Sequence, residues 1–277
     1  MELGGAISSN TGEDASVFSE ISCGQLVGDE VFHVSPRIAA IIPALDEASS
    51  IGRVVEGLRR LPGVALYGIF VVDNGSGDGT GEAAGRAGAS ILREERRGYG
   101  YACYAGLMAT EGADVLVFLD GDGSDDPEDL ARILGPLLSG EADLVVGSRS
   151  LGYREPGSMS PQQIFGNRLT ALLIRLLYGV QVSDLGPFRA IRRDDLLALG
   201  MREMTYGWPV EMMVKAIRAG YRYREAPVRY RRRTGGASKV GGNLRASLKI
   251  GWYIISAVVR YSRWTPESGG RLLKGTR

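Results

Sequence analysis

Short, unbroken apolar runs alternate along this chain with stretches whose apolar residues recur at helical spacing. Ile38-Ala39-Ala40-Ile41-Ile42 is apolar throughout and ends at Pro43. Such a run is the pattern of a strand covered on both faces. Ile51, Val54, Val55 and Leu58 follow at three- and four-residue spacing, which predicts an amphipathic helix. The alternation continues, with strands predicted over 67–72, 90–92, 115–119 and 144–146. Helices are predicted over 79–88, 101–110 and 127–138, the last opened by Pro127, a good first-turn residue. Strands and helices in alternation imply an α/β fold with a mostly parallel sheet and helices on both faces. Ligands of such sheets bind beyond the carboxyl ends of the strands. The chemistry is therefore expected just after Ile42, Val72, Leu119 and Val146.

Beyond Arg149 the rhythm changes. The pattern predicts helices over 161–177, 208–219 and 243–261, and strand-like segments over 187–191 and 221–230. A basic, glycine-rich loop is expected over 234–242. Three regions follow: a flexible acidic N-terminal tail over 1–36, an α/β domain over 37–242, and a basic amphipathic C-terminal helix and tail over 243–277.

Composition narrows the chemistry. The chain has 277 residues, 44% of them hydrophobic, enough for a core without disulfide staples. Its two cysteines, Cys23 and Cys103, have no metal-ligand spacing, and a reducing cytoplasm is the expected setting. The single histidine, His33, excludes a histidine-based triad and a His-rich zinc site. Any metal must be held by oxygen, and any acid–base work falls to carboxylates, Lys, Tyr or water. The net charge is +1, yet the last 63 residues hold sixteen basic and only two acidic side chains. An anionic partner is expected there, a phosphate or a lipid surface. No stacking-platform motif supports nucleic acid, and no apolar run is long enough to span a bilayer.

Three motifs stand at predicted strand ends. Asp120-Gly121-Asp122 follows Val-Leu-Val-Phe-Leu. Two carboxylates separated by one glycine can converge on a hard divalent cation and leave room for substrate phosphates. Asp73-Asn74-Gly75-Ser76-Gly77-Asp78-Gly79-Thr80 follows the second strand, where Asp73 can accept from a base or ribose and glycines let backbone amides approach a ligand. Pro43-Ala44-Leu45-Asp46-Glu47 follows the first strand and fits neither the dinucleotide fingerprint nor a Walker loop.

Read in order, these motifs resemble glycosyltransferase family 2, and within it the branch of dolichyl-phosphate and polyprenyl-phosphate hexose synthases. The likeness runs over about 37–239. It implies a GT-A nucleotide-diphospho-sugar transferase fold and an inverting, metal-dependent transfer of a hexose from a nucleotide diphosphate sugar of the UDP-glucose or GDP-mannose type. On this likeness Pro43, Ala44, Leu45, Glu47, Asp73 and Asn74 cradle the nucleotide. Asp120 and Asp122 hold Mg²⁺ or Mn²⁺ on the diphosphate, with Gly121 between them. Gly98, in Arg97-Gly98-Tyr99-Gly100, lies near the donor. Arg149, in Gly147-Ser148-Arg149, faces phosphate, and Arg233 with Ser238 and Lys239 closes over the diphosphate. Asp184 lies toward the acceptor, and Asp184 and Glu211 are the candidate catalytic bases should the acceptor be a hydroxyl; each is equally well read as a structural hydrogen-bonding carboxylate. Trp208 and Glu211 match an aromatic-x-x-Glu helix start. Arg149 has a plain alternative as a surface ion-pair partner, and Trp208 as a core aromatic.

The implied acceptor is a polyprenyl or dolichyl phosphate, and residues 243–264 are expected to touch the cytoplasmic face of a membrane peripherally. A hydroxyl acceptor on a saccharide is the alternative. A nucleotidyltransferase and a non-catalytic nucleotide-sugar-binding module are weaker ones.

Overall fold

The computed structural model describes residues 23–27, 30–234 and 244–266. Within the segment read as a tail, β1 (Cys23–Val27) and β2 (Glu30–Val34) pair as antiparallel strands. The main sheet contains β3 (Ile38–Ala44), β4 (Leu66–Asp73), β5 (Ser90–Arg93), β6 (Val115–Phe118), β7 (Leu144–Ser148), β8 (Arg189–Arg192) and β9 (Tyr223–Pro227), in the order β5-β4-β3-β6-β8-β7-β9. Every pairing in it is parallel except those of β8, which runs against both β6 and β7.

The helices are α1 (Ile51–Arg59), α2 (Thr80–Ala87), α3 (Tyr99–Ala109), α4 (Leu130–Leu138), α5 (Pro161–Tyr178), α6 (Arg193–Ala198), α7 (Trp208–Arg218) and α8 (Leu244–Arg260). All but the short α6 were predicted to within a few residues. Helix α5 shows why its start was legible: Ser160 and Gln163 form a reciprocal capping box around Pro161, and Gly179 stops the helix with φ of 72°.

The run 38–42 is apolar throughout because the sheet is covered twice. Ile38, Ala40 and Ile42 pack with α1, α2 and α4, whereas Ala39 and Ile41 pack into a second core with α3, α5, α7 and α8. Alternate residues of one strand thus feed opposite cores. The carboxyl ends of β3, β4 and β6 come together at one edge of this sandwich, as a parallel sheet requires.

Candidate active site

The loops that leave β3 and β4 are laced to each other. The Asp46 amide donates to Ser76 Oγ at 3.0 Å and its Oδ1 accepts from the Gly77 amide at 2.9 Å. The Glu47 amide donates to Thr80 Oγ1 at 2.8 Å, and the Ala48 amide to Asp78 Oδ2 at 3.0 Å. Asp46 adopts a left-handed φ of 52°, which a short hydrogen-bonding side chain tolerates better than most. Asn74 is buried and pins a third loop: its Nδ2 donates to the carbonyls of Glu94 and Arg96, and its Oδ1 accepts from the Gly98 amide at 2.8 Å.

Beneath these loops lies a pocket of 440 Å³. Pro43, Ala44, Leu45, Glu47, Asn74, Gly98, Asp120, Gly121, Asp122 and Arg233 line it, so most of the residues expected to meet the donor are brought together. Asp73 is not among the lining residues; its Oδ1 accepts from the Ser76 amide at 2.8 Å and shapes the turn. Ser238 and Lys239 lie outside the described residues.

Asp120 accepts from the Tyr99 hydroxyl at 3.2 Å. Burial, reinforced by the neighbouring charge of Asp122, pushes its carboxyl up to about 7. Asp122 accepts from the Ser124 amide at 2.8 Å and meets Arg233 Nη1 at 3.3 Å. Arg233 also pairs with Glu47, so one guanidinium bridges the β3 loop and the β6 loop. Asp125, three residues beyond Asp122, is buried; burial and the charges of Asp120 and Asp122 push it well above the carboxylate range, and its Oδ1 has no hydrogen-bond partner among the described residues. A surplus of buried carboxylate oxygen is therefore concentrated at the end of β6.

Arg233 arrives on a strap after β9. The Arg231 amide donates to the Ser124 carbonyl at 2.8 Å, Arg231 pairs with Asp126 at 2.5 Å, and Arg229 pairs with Asp126, Glu128 and Asp129. Arg229 and Arg231 are thus fastened along the acidic turn 124–129, whereas Arg232 turns to Glu155.

Arg149, Asp184 and Glu211 do not line the pocket. Arg149 Nε and Nη2 each meet the Asp184 carboxylate at 2.7 Å, and the guanidinium also sits 4.9 Å from the centre of the Tyr230 ring. Burial tends to raise the Asp184 carboxyl, but the Arg149 charge and hydrogen bonds outweigh it and hold the group below its usual range. Glu211 is fully buried and pairs with the equally buried Lys215 at 2.7 Å. The same carboxylate accepts from the amides of Arg202 at 2.9 Å and Glu203 at 2.6 Å. Trp208 is 1% exposed and packs edge-on to Tyr104 in the core.

Sequence reasoning missed part of the pocket wall. Thr205, Tyr206 and Tyr253 line it, and Tyr206 stacks on Tyr99 with ring centres 6.4 Å apart. They come from a loop and from α8, where no strand end marks them. The usable signal lay in glycine: a Cβ on Gly100 would lie 2.3 Å from the Glu203 carbonyl, and one on Gly98 2.3 Å from that of Met204. These glycines let the loop 203–206 close against the start of α3.

Comparison with known proteins agrees with this geometry. Residues 39–200, more than half of the chain, match the family Glycosyl transferase family 2. The chain is 38% identical over 213 residues to an uncharacterized glycosyltransferase of Mycobacterium tuberculosis, covering 76% of this chain and 93% of that one. It is 32% identical over 244 residues to the undecaprenyl-phosphate mannosyltransferase of Micrococcus luteus, covering 82% and 93%. Among solved structures, glucosyl-3-phosphoglycerate synthase of M. tuberculosis, crystallised with Mn²⁺, UDP-glucose and phosphoglyceric acid, superposes with a TM-score of 0.67. That match covers 96% of this chain and 88% of the other at 22% identity. A laced nucleotide-sized pocket at the ends of β3, β4 and β6, in a chain with these relatives, identifies a GT-A-fold enzyme: the chain belongs to glycosyltransferase family 2.

Proposed function

We propose that this glycosyltransferase moves a hexose, with inversion, from a nucleotide diphosphate sugar to a polyprenyl- or dolichyl-phosphate acceptor at a membrane surface. The observation that carries the donor half is the pairing of Asp120 and Asp122 at the end of β6, in one pocket with Glu47 and Arg233. The donor set fits Mg²⁺ or Mn²⁺: it is all carboxylate oxygen, the single guanidinium of Arg233 is shared between Asp122 and Glu47, and the Asp125 Oδ1 beside it has no hydrogen-bond partner among the described residues. Asp120 and Asp122 would hold that ion. Bound there, it would offset the charge that develops on the departing nucleoside diphosphate. Arg233 serves the same end from the protein side, since a guanidinium now shared by Glu47 and Asp122 is placed to turn to a diphosphate. Pro43, Leu45 and Asn74 shape the space for the nucleoside.

The acceptor half rests on two supports. First, the carboxylates considered as general bases are engaged elsewhere: Asp184 by Arg149, and Glu211 by Lys215. A phosphate acceptor is already anionic at neutral pH and needs no base, whereas a hydroxyl acceptor does. Second, α5 and α8 pack together and leave large apolar side chains in solvent, with Phe165 69%, Leu176 71% and Trp252 70% exposed. Arginines 260 and 263 stand at the end of α8, and aromatic, apolar and basic residues together suit an anionic lipid surface. Among the described residues no helix is long and apolar enough to cross a membrane, so contact would be peripheral. A bacterial relative is named for undecaprenyl phosphate, which points the same way.

The test is direct. The enzyme is incubated with UDP-glucose or GDP-mannose, Mn²⁺ and undecaprenyl phosphate in detergent, with and without EDTA. Metal-dependent formation of a lipid-linked hexose and a nucleoside diphosphate is expected. Nucleoside diphosphate released only when a saccharide is added as acceptor would replace the lipid phosphate by a hydroxyl, and formation of a nucleoside triphosphate and a sugar 1-phosphate only when pyrophosphate is added would replace the transferase by a nucleotidyltransferase.

A further inference from the structure

The donor contacts proposed above draw on residues at the ends of β3, β4 and β6 and on Arg233. The wall they leave unused includes Arg97, Tyr99 and Ala102 around the start of α3 and, from the C-terminal half, Thr205 and Tyr206 in the loop before α7 and Tyr253 on α8. We infer that Tyr253, which the C-terminal helix brings to the wall of the pocket that Tyr206 also lines, forms the acceptor-binding wall and selects the acceptor. The ligand class is an amphiphile with an oxygen-rich head and an apolar chain, and in this respect the inference rests on the proposed function.

The helix places Tyr253 by three successive contacts on one face. Residues 253, 257 and 260 share a face at helical spacing. Tyr253 enters the pocket, Ala257 approaches Gly207 so closely that an added Cβ there would lie 3.5 Å away, and Arg260 Nη1 pairs with Glu203 Oε2 at 3.1 Å. Glu203 in turn accepts from Thr205 Oγ1 at 2.6 Å, so the same carboxylate fixes the loop and the helix. Beyond the helix, Tyr261 and Trp264 lie over the Lys215 ammonium at 4.8 and 5.2 Å, and Lys215 holds Glu211, which accepts from the amides of Arg202 and Glu203. The helix and the loop 202–206 are therefore fastened to each other, and together they form one side of the pocket.

The chemistry of this wall differs from that of the donor side. Asp120, Asp122 and Arg233 are charged and suit a diphosphate and its cation. Tyr206 and Tyr253 are aromatic, with rings that pack against carbon and a phenolic oxygen at the tip of each. Trp252, next in sequence, is 70% exposed and presents an apolar ring to solvent on the same turn of the helix. An acceptor whose head enters the pocket can thus leave its chain along α8.

The experiment compares the full chain with Tyr253→Ala and Tyr253→Phe. Binding of UDP and GDP with Mn²⁺ is measured by calorimetry, and transfer to farnesyl phosphate in detergent micelles by initial rates. Thermal unfolding confirms that each variant is folded. Tyr253→Ala is expected to raise the acceptor KM about tenfold, and to leave donor KM and nucleotide affinity within about twofold. Tyr253→Phe, which keeps the ring, is expected to recover most of the loss. A parallel fall in donor affinity, or an unchanged acceptor KM in Tyr253→Ala, would overturn the inference. If the wild-type enzyme makes no farnesyl-linked hexose but glycosylates glucose, the lipid-phosphate reading fails by itself. The same donor-versus-acceptor split, measured with glucose, then decides the role of Tyr253.

Discussion

Arg149 and Asp184 form a fork-to-fork pair, with Nε to Oδ2 and Nη2 to Oδ1 both at 2.7 Å, and Asp184 is only 1% exposed. Asp184 also accepts from the Arg149 and Leu185 backbone amides, each at 2.7 Å. Every one of these bonds favours the charged carboxylate. The pair joins the end of β7 to the segment that leads into β8, and so ties the two strands of opposite direction beside the site.

Asp184→Asn breaks the fork and strands a buried guanidinium. Removing one partner of a buried pair typically costs about 3–5 kcal/mol, and a clear drop in the unfolding midpoint is expected. The pH dependence follows from the lowered carboxyl. Its stabilisation is present in full above the unfolded aspartate value of about 3.9 and fades as pH falls from there through the lower folded value. The stability gap between wild type and Asp184→Asn, measured by denaturant melts, should be flat near neutrality and close in acid. A gap that widens in acid would contradict the assignment.

The Glu211–Lys215 pair makes a different expectation. Both side chains are 0% exposed, so Glu211→Ala leaves an ammonium buried and the amides of Arg202 and Glu203 unpaired; a loss of about 3–5 kcal/mol is expected. Glu211→Leu combined with Lys215→Met removes both charges and should recover part of that loss, because the desolvation penalty disappears with them. Chemical denaturation of the single and double variants checks this. A Glu211→Ala variant as stable as wild type would rule out the anchoring role.

Gly100 allows the loop 203–206 to rest on α3. A Cβ there would meet the Glu203 carbonyl at 2.3 Å and the Met204 Cα at 2.5 Å, both backbone atoms that cannot swing aside. Gly100→Ala should therefore displace Tyr206 from its stack on Tyr99 and cost on the order of 1–3 kcal/mol as overpacking. Thermal unfolding and the acceptor KM should both move. Wild-type values for both would show that the loop yields without consequence.

The parts of this molecule that were legible in the sequence are those where local pattern and tertiary role coincide. The run at 38–42 announced a doubly covered strand, and Asp120-Gly121-Asp122 announced itself by standing at the end of another. The helix α5 was expected from 161, and the structure starts it there, with the capping box of Ser160 and Gln163 as the local reason. The opposed direction of β8 was not legible, since apolar pattern carries no strand polarity. Nor were the partners of Asp184 and Glu211. A carboxylate fully paired in the interior and one poised for proton transfer look alike until burial and neighbours are known, and here the neighbours are Arg149, 35 residues away in sequence, and Lys215. Tyr253 escaped for a similar reason: nothing in 251–255 separates the tyrosine that enters the pocket from the tryptophan that faces solvent.

The central claim is that Asp120 and Asp122 hold a divalent cation against the donor diphosphate, and calorimetric titration of UDP and GDP into wild type, Asp120→Asn and Asp122→Asn, each with Mn²⁺ and with EDTA, tests it most directly. Wild type should bind one nucleoside diphosphate with a marked dependence on Mn²⁺, and both variants should lose that dependence while remaining folded. Equal binding in EDTA and Mn²⁺ by wild type, or an undiminished Mn²⁺ effect in both variants, would contradict it.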